Sequence, residues 1–249
     1  MTLRAATFIA LSALLLVSTV RADVRPESII QQEINLNELL INIHRLQLDF
    51  PDQDARESLQ LSQQMLDNGI NNLPTHAHDP EANELLTTVL LMWPVVSEHI
   101  SWLHTVPTSP EPPATMLLLH ALGKIERQLL LLRNKSSDAD KSHQLRYLEQ
   151  ALLMQHMTRD YLAMLAAQSS TARQMQLKAQ ASRFDQRMAA FNRELNNHPH
   201  ARLPARQARA AWSFIQSRFE AFPEQQTPEL IVRYGHTIVS KLASVHRMF

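Results

Sequence analysis

Four histidines fall in two short stretches where they could meet a metal ion. His76, His78 and the adjacent Asp79 lie in NNLPTHAHDP, residues 71–80, and His198 and His200 lie in NNHPHARLP, residues 196–204. Imidazole is a good ligand for zinc, copper or nickel, and a chain without cysteine offers no thiolate in its place. If the two loops converge, His76, His78, His198 and His200 supply four nitrogens. A third and fourth ligand at defined spacing is missing from either loop alone, and Asn, Pro and His near helix ends also make an ordinary turn. A second cofactor chemistry is haem b held between a methionine on one helix of a bundle and a histidine on its last, for which Met154 or Met157 with His236 fits. Methionine at helical spacing also fills cores. Both readings describe one alternative, a metal- or haem-binding exported helical bundle; the leading expectation is no cofactor.

Other reactive constellations are missing from the sequence. It has no Glu-x-x-His pairs for a di-metal carboxylate bundle, no Gly-x-Ser-x-Gly nucleophile turn and no glycine-rich phosphate loop. Zero cysteine excludes disulfides, covalently attached haem and thiol nucleophiles. A non-enzymatic role is expected. Lys+Arg and Asp+Glu balance at 24 each without long blocks of one sign, so no nucleic-acid partner is expected.

Any site must be positioned by helices. Three glycines in 249 residues are too few for a strand-and-turn protein, while Leu, Ala, Gln, Met and Arg abound, so the fold class is all-α. Met1 to Ala22 carries Arg4, an apolar run and Val20-Arg21-Ala22, the pattern of a secretory signal peptide cleaved after about Ala22. The expected location is periplasmic. No cysteine follows the run for acylation, and no later apolar stretch is long enough to span a bilayer.

Apolar spacing of three and four residues recurs along the mature chain. It predicts helices over 29–48, 54–72, 80–104 (with Pro94 inside), 114–134, 139–167, a sixth to about Asn196, 205–221 and 228–248. Gln168 to Thr171 either kinks the fifth helix or separates it from the sixth. VPTSPEPP, residues 106–113, reads as a rigid connection, and the polar KSSDADKS, residues 135–142, as the boundary between two modules, 23–134 and 139–249.

The halves match each other. NNLPTHAHDP answers NNHPHARLP, Trp93 answers Trp212, and Gly123 answers Gly235, in order and on corresponding elements. The expectation is two tandem four-helix bundles from an internal duplication.

The segment LEQALLMQHMTRDYLAML, residues 148–165, followed by RFDQRMAAFNREL and a helix bearing Trp212, carries a more specific pattern. Leu153, Gln155, Met157, Asp160, Tyr161 and Leu162 fall on the motif INLAGRQRMLSQRMAKDYL. This resembles the N-terminal PilJ-type sensor domain of type IV pilus methyl-accepting chemotaxis transducers, related to the periplasmic domains of nitrate and nitrite sensor kinases. Ile34-Asn35-Leu36 starts the same motif in the first half, so the resemblance covers the mature chain as two degenerate copies. It implies a periplasmic sensor fold in which the first helices of two modules face each other. In the nitrate sensors an arginine of this motif points into that dimer interface and binds the anion. Ala151 and Ile41 stand there in this chain, and neither can make charge-assisted hydrogen bonds to an oxyanion.

The residues also suggest a pocket or groove. Gln155, Arg159, Asp160 and Tyr161 form a polar group in an apolar helix, and Trp93 and Trp212 are large amphipathic groups on paired helices. They either wall a ligand or partner site or fill cores and a solvated face. The leading functional expectation is a non-enzymatic periplasmic sensor or adaptor. It would bind a small molecule or the ectodomain of a transmembrane receptor, chemotaxis transducer or sensor kinase, and relay the state through helix contacts.

Overall fold

The structure is a computed structural model and describes residues 24–48, 53–105, 112–136, 142–167, 169–195 and 198–249. The Met1 to Ala22 leader, Val106 to Glu111 of the proline-rich connection and Ser137 to Lys141 of the polar boundary lie outside the described residues. Eight α-helices and no strands occur among the described residues: α1 Pro26–Gln47, α2 Gln53–Asn71, α3 Pro80–Thr105, α4 Pro112–Ser136, α5 Ser142–Ala166, α6 Thr171–Glu194, α7 Pro199–Glu220 and α8 Pro228–His246. No described helix is long and apolar enough to cross a membrane.

Proline sets most helix starts, because the first turn needs no backbone donor and proline is already in helical φ. It opens α1, α3, α4, α7 and α8 at or next to the first position. Two expectations change for this reason. Pro112 and Pro113 belong to α4 and not to the linker, and α7 begins at Pro199 and not at Ala205. Its first intrahelical bond runs from the Arg202 amide to the His198 carbonyl at 3.0 Å. Pro204 sits inside α7, and the bond it cannot donate would have ended at His200, on the exposed first turn. Two helices stand where one kinked helix was the alternative: α5 ends at Ala166 and α6 starts at Thr171, where the Ser170 hydroxyl caps it by accepting from the Arg173 amide.

Each half closes into a ring. α1 packs on α2, α2 on α3, α3 on α4 and α4 back on α1; α5 to α8 repeat that order. The largest contact between the two halves joins α1 to α5. One core is built from Leu36, Leu39, Leu66, Trp93, Leu122 and their neighbours, the other from Met154, Tyr161, Phe184, Trp212 and Ile238.

The buried positions of the two rings coincide in register. Ile29, Leu36, Leu39 and Ile43 of α1 are followed 118 residues later by Tyr147, Met154, Met157 and Tyr161 of α5, all buried. The same separation takes Leu59, Leu66 and Ile70 of α2 to Leu177, Phe184 and Met188 of α6. Leu86, Val89, Trp93, Val96 and Ile100 of α3 meet Ala205, Ala208, Trp212, Ile215 and Phe219 of α7 at 119. Leu118, Ile125, Leu129 and Leu132 of α4 meet Ile231, Ile238, Leu242 and Val245 of α8 at 113. A polar pair repeats too. The indole N–H of Trp93 donates to Asp67 at 2.7 Å and that of Trp212 to Asp185 at 3.0 Å.

This register keeps one of the three sequence matches and moves the other two. Trp93 and Trp212 correspond. Gly235 corresponds to Leu122, one residue from Gly123. Gly235 lets α8 approach α5, where a Cβ would stand 2.8 Å from Thr158 Oγ1, whereas Gly123 faces open space. The two asparagine pairs fall out of step as well, since Pro80 and Pro199 are the equivalent helix starts.

Replacing Asp67 or Asp185 by alanine should lower stability by about 1–3 kcal/mol each, because a core indole donor loses its acceptor. Urea unfolding checks this. No change at either site would show that the indoles do not depend on these carboxylates.

Candidate functional site

The two bundles meet along α1 and α5, which run parallel. Gln155 of α5 donates to Glu38 of α1 at 2.8 Å, while Glu33 lies near Glu149 and His44 near Arg159 and Asp160, so positions advance together along both helices. The reason lies in the composition of α1. Ile29, Leu36, Leu39, Leu40 and Ile43 enter the first core, while Ile30, Ile34 and Ile41 join the second. With two faces covered, polar residues of α1 become buried as well: Gln32, Glu33, Asn35, Asn37 and Asn42 are all inside, Asn42 donating to the Ser58 carbonyl and the Ser62 hydroxyl of α2.

On one flank α8 crosses to α1. His236 Nε2 lies 2.6 and 2.7 Å from the two Glu38 carboxylate oxygens, and Asn42 donates to Glu38 at 3.4 Å. Burial pushes Glu38 up, but the bonds from His236, Gln155 and Asn42 and the imidazolium charge hold it below the usual carboxylate range. Burial likewise pulls His236 down, and its bond to Glu38 outweighs this and raises it. A second imidazole, His246, lies 2.8 Å from Glu27 nearer the start of α1.

On the other flank α4 crosses to α5, carrying the same pair with sides exchanged. His156 stands 118 residues after Glu38 and faces Glu126 of α4 at 3.5 Å, too far for a hydrogen bond. Arg159 takes Glu126 in an ion pair instead, and also binds Asp160 at 2.8 Å. Burial, then the Arg159 charge, push His156 down to about 4, so it is neutral near pH 7. Beside it Glu33 is almost fully buried, with 1% of its side chain exposed. Arg133 Nε lies 3.2 Å from Glu33 Oε2 but is not aligned to donate, so that oxygen accepts no hydrogen bond among the described residues. Burial, against the Arg133 charge and with Glu126 and Glu149 adding to it, pushes Glu33 up to about 7. Such a group can exchange a proton near neutrality. With 1% of its side chain exposed, Glu33 sits inside the packing of α1 against α4 and α5.

The structure distributes the sequence-predicted site residues among different roles. Gln155, Arg159 and Asp160 lie in the seam. Tyr161 does not line a pocket. It is fully buried against Phe219 and Phe222, and its hydroxyl accepts from the Thr227 amide at 3.0 Å and donates to the Gln225 carbonyl at 3.2 Å, pinning the turn between α7 and α8. Trp93 and Trp212 are buried in separate cores. His76, His78, His198 and His200 are exposed, and no group of three or more potential metal-ligating side chains forms among the described residues. Asp79 caps α3, accepting from the Ala82 amide at 2.8 Å. Met154 and Met157 are core residues, while His236 is committed to Glu38.

The two positions that the sensor resemblance aligns with an anion-binding arginine, Ile41 and Ala151, are both fully buried. They are 110 residues apart, about two helical turns short of the repeat, so the structural counterpart of Ile41 is Arg159 and that of Ala151 is Glu33. Glu33, Glu38, Glu126, His156 and His236 were not singled out as a set from the sequence. Their signal is polar residues placed on a helix that is apolar on two faces.

Comparison of the chain with protein-family models, with curated proteins and with solved structures returns no match.

Two pH effects follow, both with stability lost as pH rises, because both groups hold their proton more tightly in the folded protein. Glu33 binds its proton more tightly in the folded protein, so stability falls as pH rises from about 4.5 to about 7. Glu33→Gln should remove that fall, gaining on the order of 1–3 kcal/mol at pH 8 relative to pH 5. Parallel pH profiles for variant and parent would contradict the assignment. His236 has a raised value, so its contribution is full below about 6.5 and is lost as pH rises through the folded value. His236→Gln should therefore be destabilising at pH 6 and nearly neutral at pH 9, and thermal unfolding at both values tests it.

Proposed function

We propose that this chain is a non-enzymatic, exported sensor or adaptor whose two bundles are copies of one four-helix module. It acts as a single-chain counterpart of a dimeric receptor domain, engaging the ectodomain of a transmembrane receptor, chemotaxis transducer or sensor kinase, or a small molecule. State is relayed as a change in how the bundles meet along α1 and α5. The observation that carries this reading is the parallel packing of two repeat-equivalent helices, with charged pairs bridging each flank. Two modules facing through their first helices is also what the PilJ-type resemblance implies.

A polar joint suits a relay, because charged and hydrogen-bonded groups give discrete alternative pairings where a uniform apolar seam would not. Ala151, which the resemblance aligns with the motif arginine, and its register counterpart Glu33 make no charge-assisted hydrogen bond to an oxyanion, which favours a protein partner.

Photocrosslinking in cells from exposed positions flanking the seam, such as Lys124 and Arg233, tests the partner. The expected result is covalent capture of a membrane protein with a periplasmic receptor domain, and repeated capture of none contradicts the adaptor role. Metal content and the visible spectrum of the purified protein test the alternative: a stoichiometric metal or a Soret band would overturn the reading.

A further inference from the structure

The first bundle carries a cavity at a place where the second bundle holds two aromatic side chains in contact. The cavity, about 340 Å³, opens between α3 and α4, near the end of α3 and the start of α4. Its lining is apolar apart from His99 and includes Val95, Trp102, Leu117 and Ala121. Val95, Trp102 and Leu117 are 58%, 50% and 74% exposed, so the apolar lining is open to solvent.

The repeat supplies an internal control. At the α3 to α7 separation of 119, Val95 corresponds to Phe214, and at the α4 to α8 separation of 113, Ala121 corresponds to Tyr234. Phe214 and Tyr234 touch, with ring centroids 4.6 Å apart at 38°. Two aromatic rings in contact, Phe214 still 55% exposed, therefore stand in the second bundle at the positions that Val95 and Ala121 hold in the first. The neighbouring lining position changes too, since Trp102 corresponds to Ala221. Large residues withdrawn from the groove and a tryptophan placed at its rim are the composition of a binding site. A size within the usual range for small ligands agrees with this.

We infer that the cleft between α3 and α4 binds a small uncharged aromatic molecule, seated where Phe214 and Tyr234 sit in the other bundle. The occupant is identified by what fills the equivalent space: planar, apolar rings about as large as those two side chains. Trp102 offers an edge or face to stack on, and Leu117 covers the opposite wall. The inference does not depend on the adaptor reading, because failure to capture a receptor would leave the cleft unchanged.

Titration of the protein with the neutral probe N-phenyl-1-naphthylamine, followed by probe emission, tests it. The expected result is one saturable site per chain. Transplanting the plug with Val95→Phe and Ala121→Tyr should weaken binding by at least about tenfold with helical circular dichroism preserved. The reverse exchange, Phe214→Val with Tyr234→Ala, should open the second groove and raise the stoichiometry from one to two. If the transplant loses its helicity, the reverse exchange decides, and a stoichiometry that stays at one counts against the inference. No saturable binding by the parent protein, or equal binding by a folded transplant, overturns it.

Discussion

The double burial of α1 is the constraint on which the rest depends. A helix in one bundle needs one apolar stripe, but α1 has two, with Leu36, Leu39 and Ile43 turned into its own ring and Ile30, Ile34 and Ile41 into the other. Little water reaches the residues between the stripes, so buried Glu33 and Asn42, and Glu38 with 17% of its side chain exposed, turn to partners in the protein. Glu38 finds them in His236, Gln155 and Asn42, whereas Glu33 finds only the Arg133 charge. The different fates of two carboxylates five residues apart follow from which neighbours α5, α4 and α8 bring to each.

Residues at corresponding register positions differ, which makes the seam asymmetric. Equivalent positions hold Glu38 and His156, Ile41 and Arg159, Glu33 and Ala151. Two identical modules meeting through their first helices would place like residues together, and a buried glutamate facing its own copy is unfavourable. Holding a glutamate at one position and a histidine at the other keeps like carboxylates apart, and each meets its partner on its own flank, Glu38 with His236 and His156 beside Glu126. A covalently joined pair can diverge in this way, because each copy has only one partner.

Much of the fold was legible in the sequence because helix periodicity and proline punctuation are local signals. The eight elements, their order and the equivalence of Trp93 and Trp212 follow from them, and Pro199 opening α7 shows where the reading slipped, since proline starts helices as readily as it breaks them. The seam was less legible. Gln155, Arg159 and Asp160 were visible as polar residues in an apolar helix, but their partners Glu38 and Glu126 lie far away in the chain, on helices whose facing is decided only by packing. The histidine loops pointed elsewhere for the same reason: nearness in sequence suggested a site, while the rings leave His76, His78, His198 and His200 exposed. The open cleft at Val95 and Ala121 could not be seen without the repeat register, which depends on the buried positions.

The central claim is that the two rings form one body locked along α1 and α5. Differential scanning calorimetry of the intact protein tests it most directly. The account expects a single transition whose calorimetric and van't Hoff enthalpies agree, because separating the bundles would expose Ile30, Ile34 and Ile41 together with the charged pairs. Two resolved transitions, one for each ring, would contradict it.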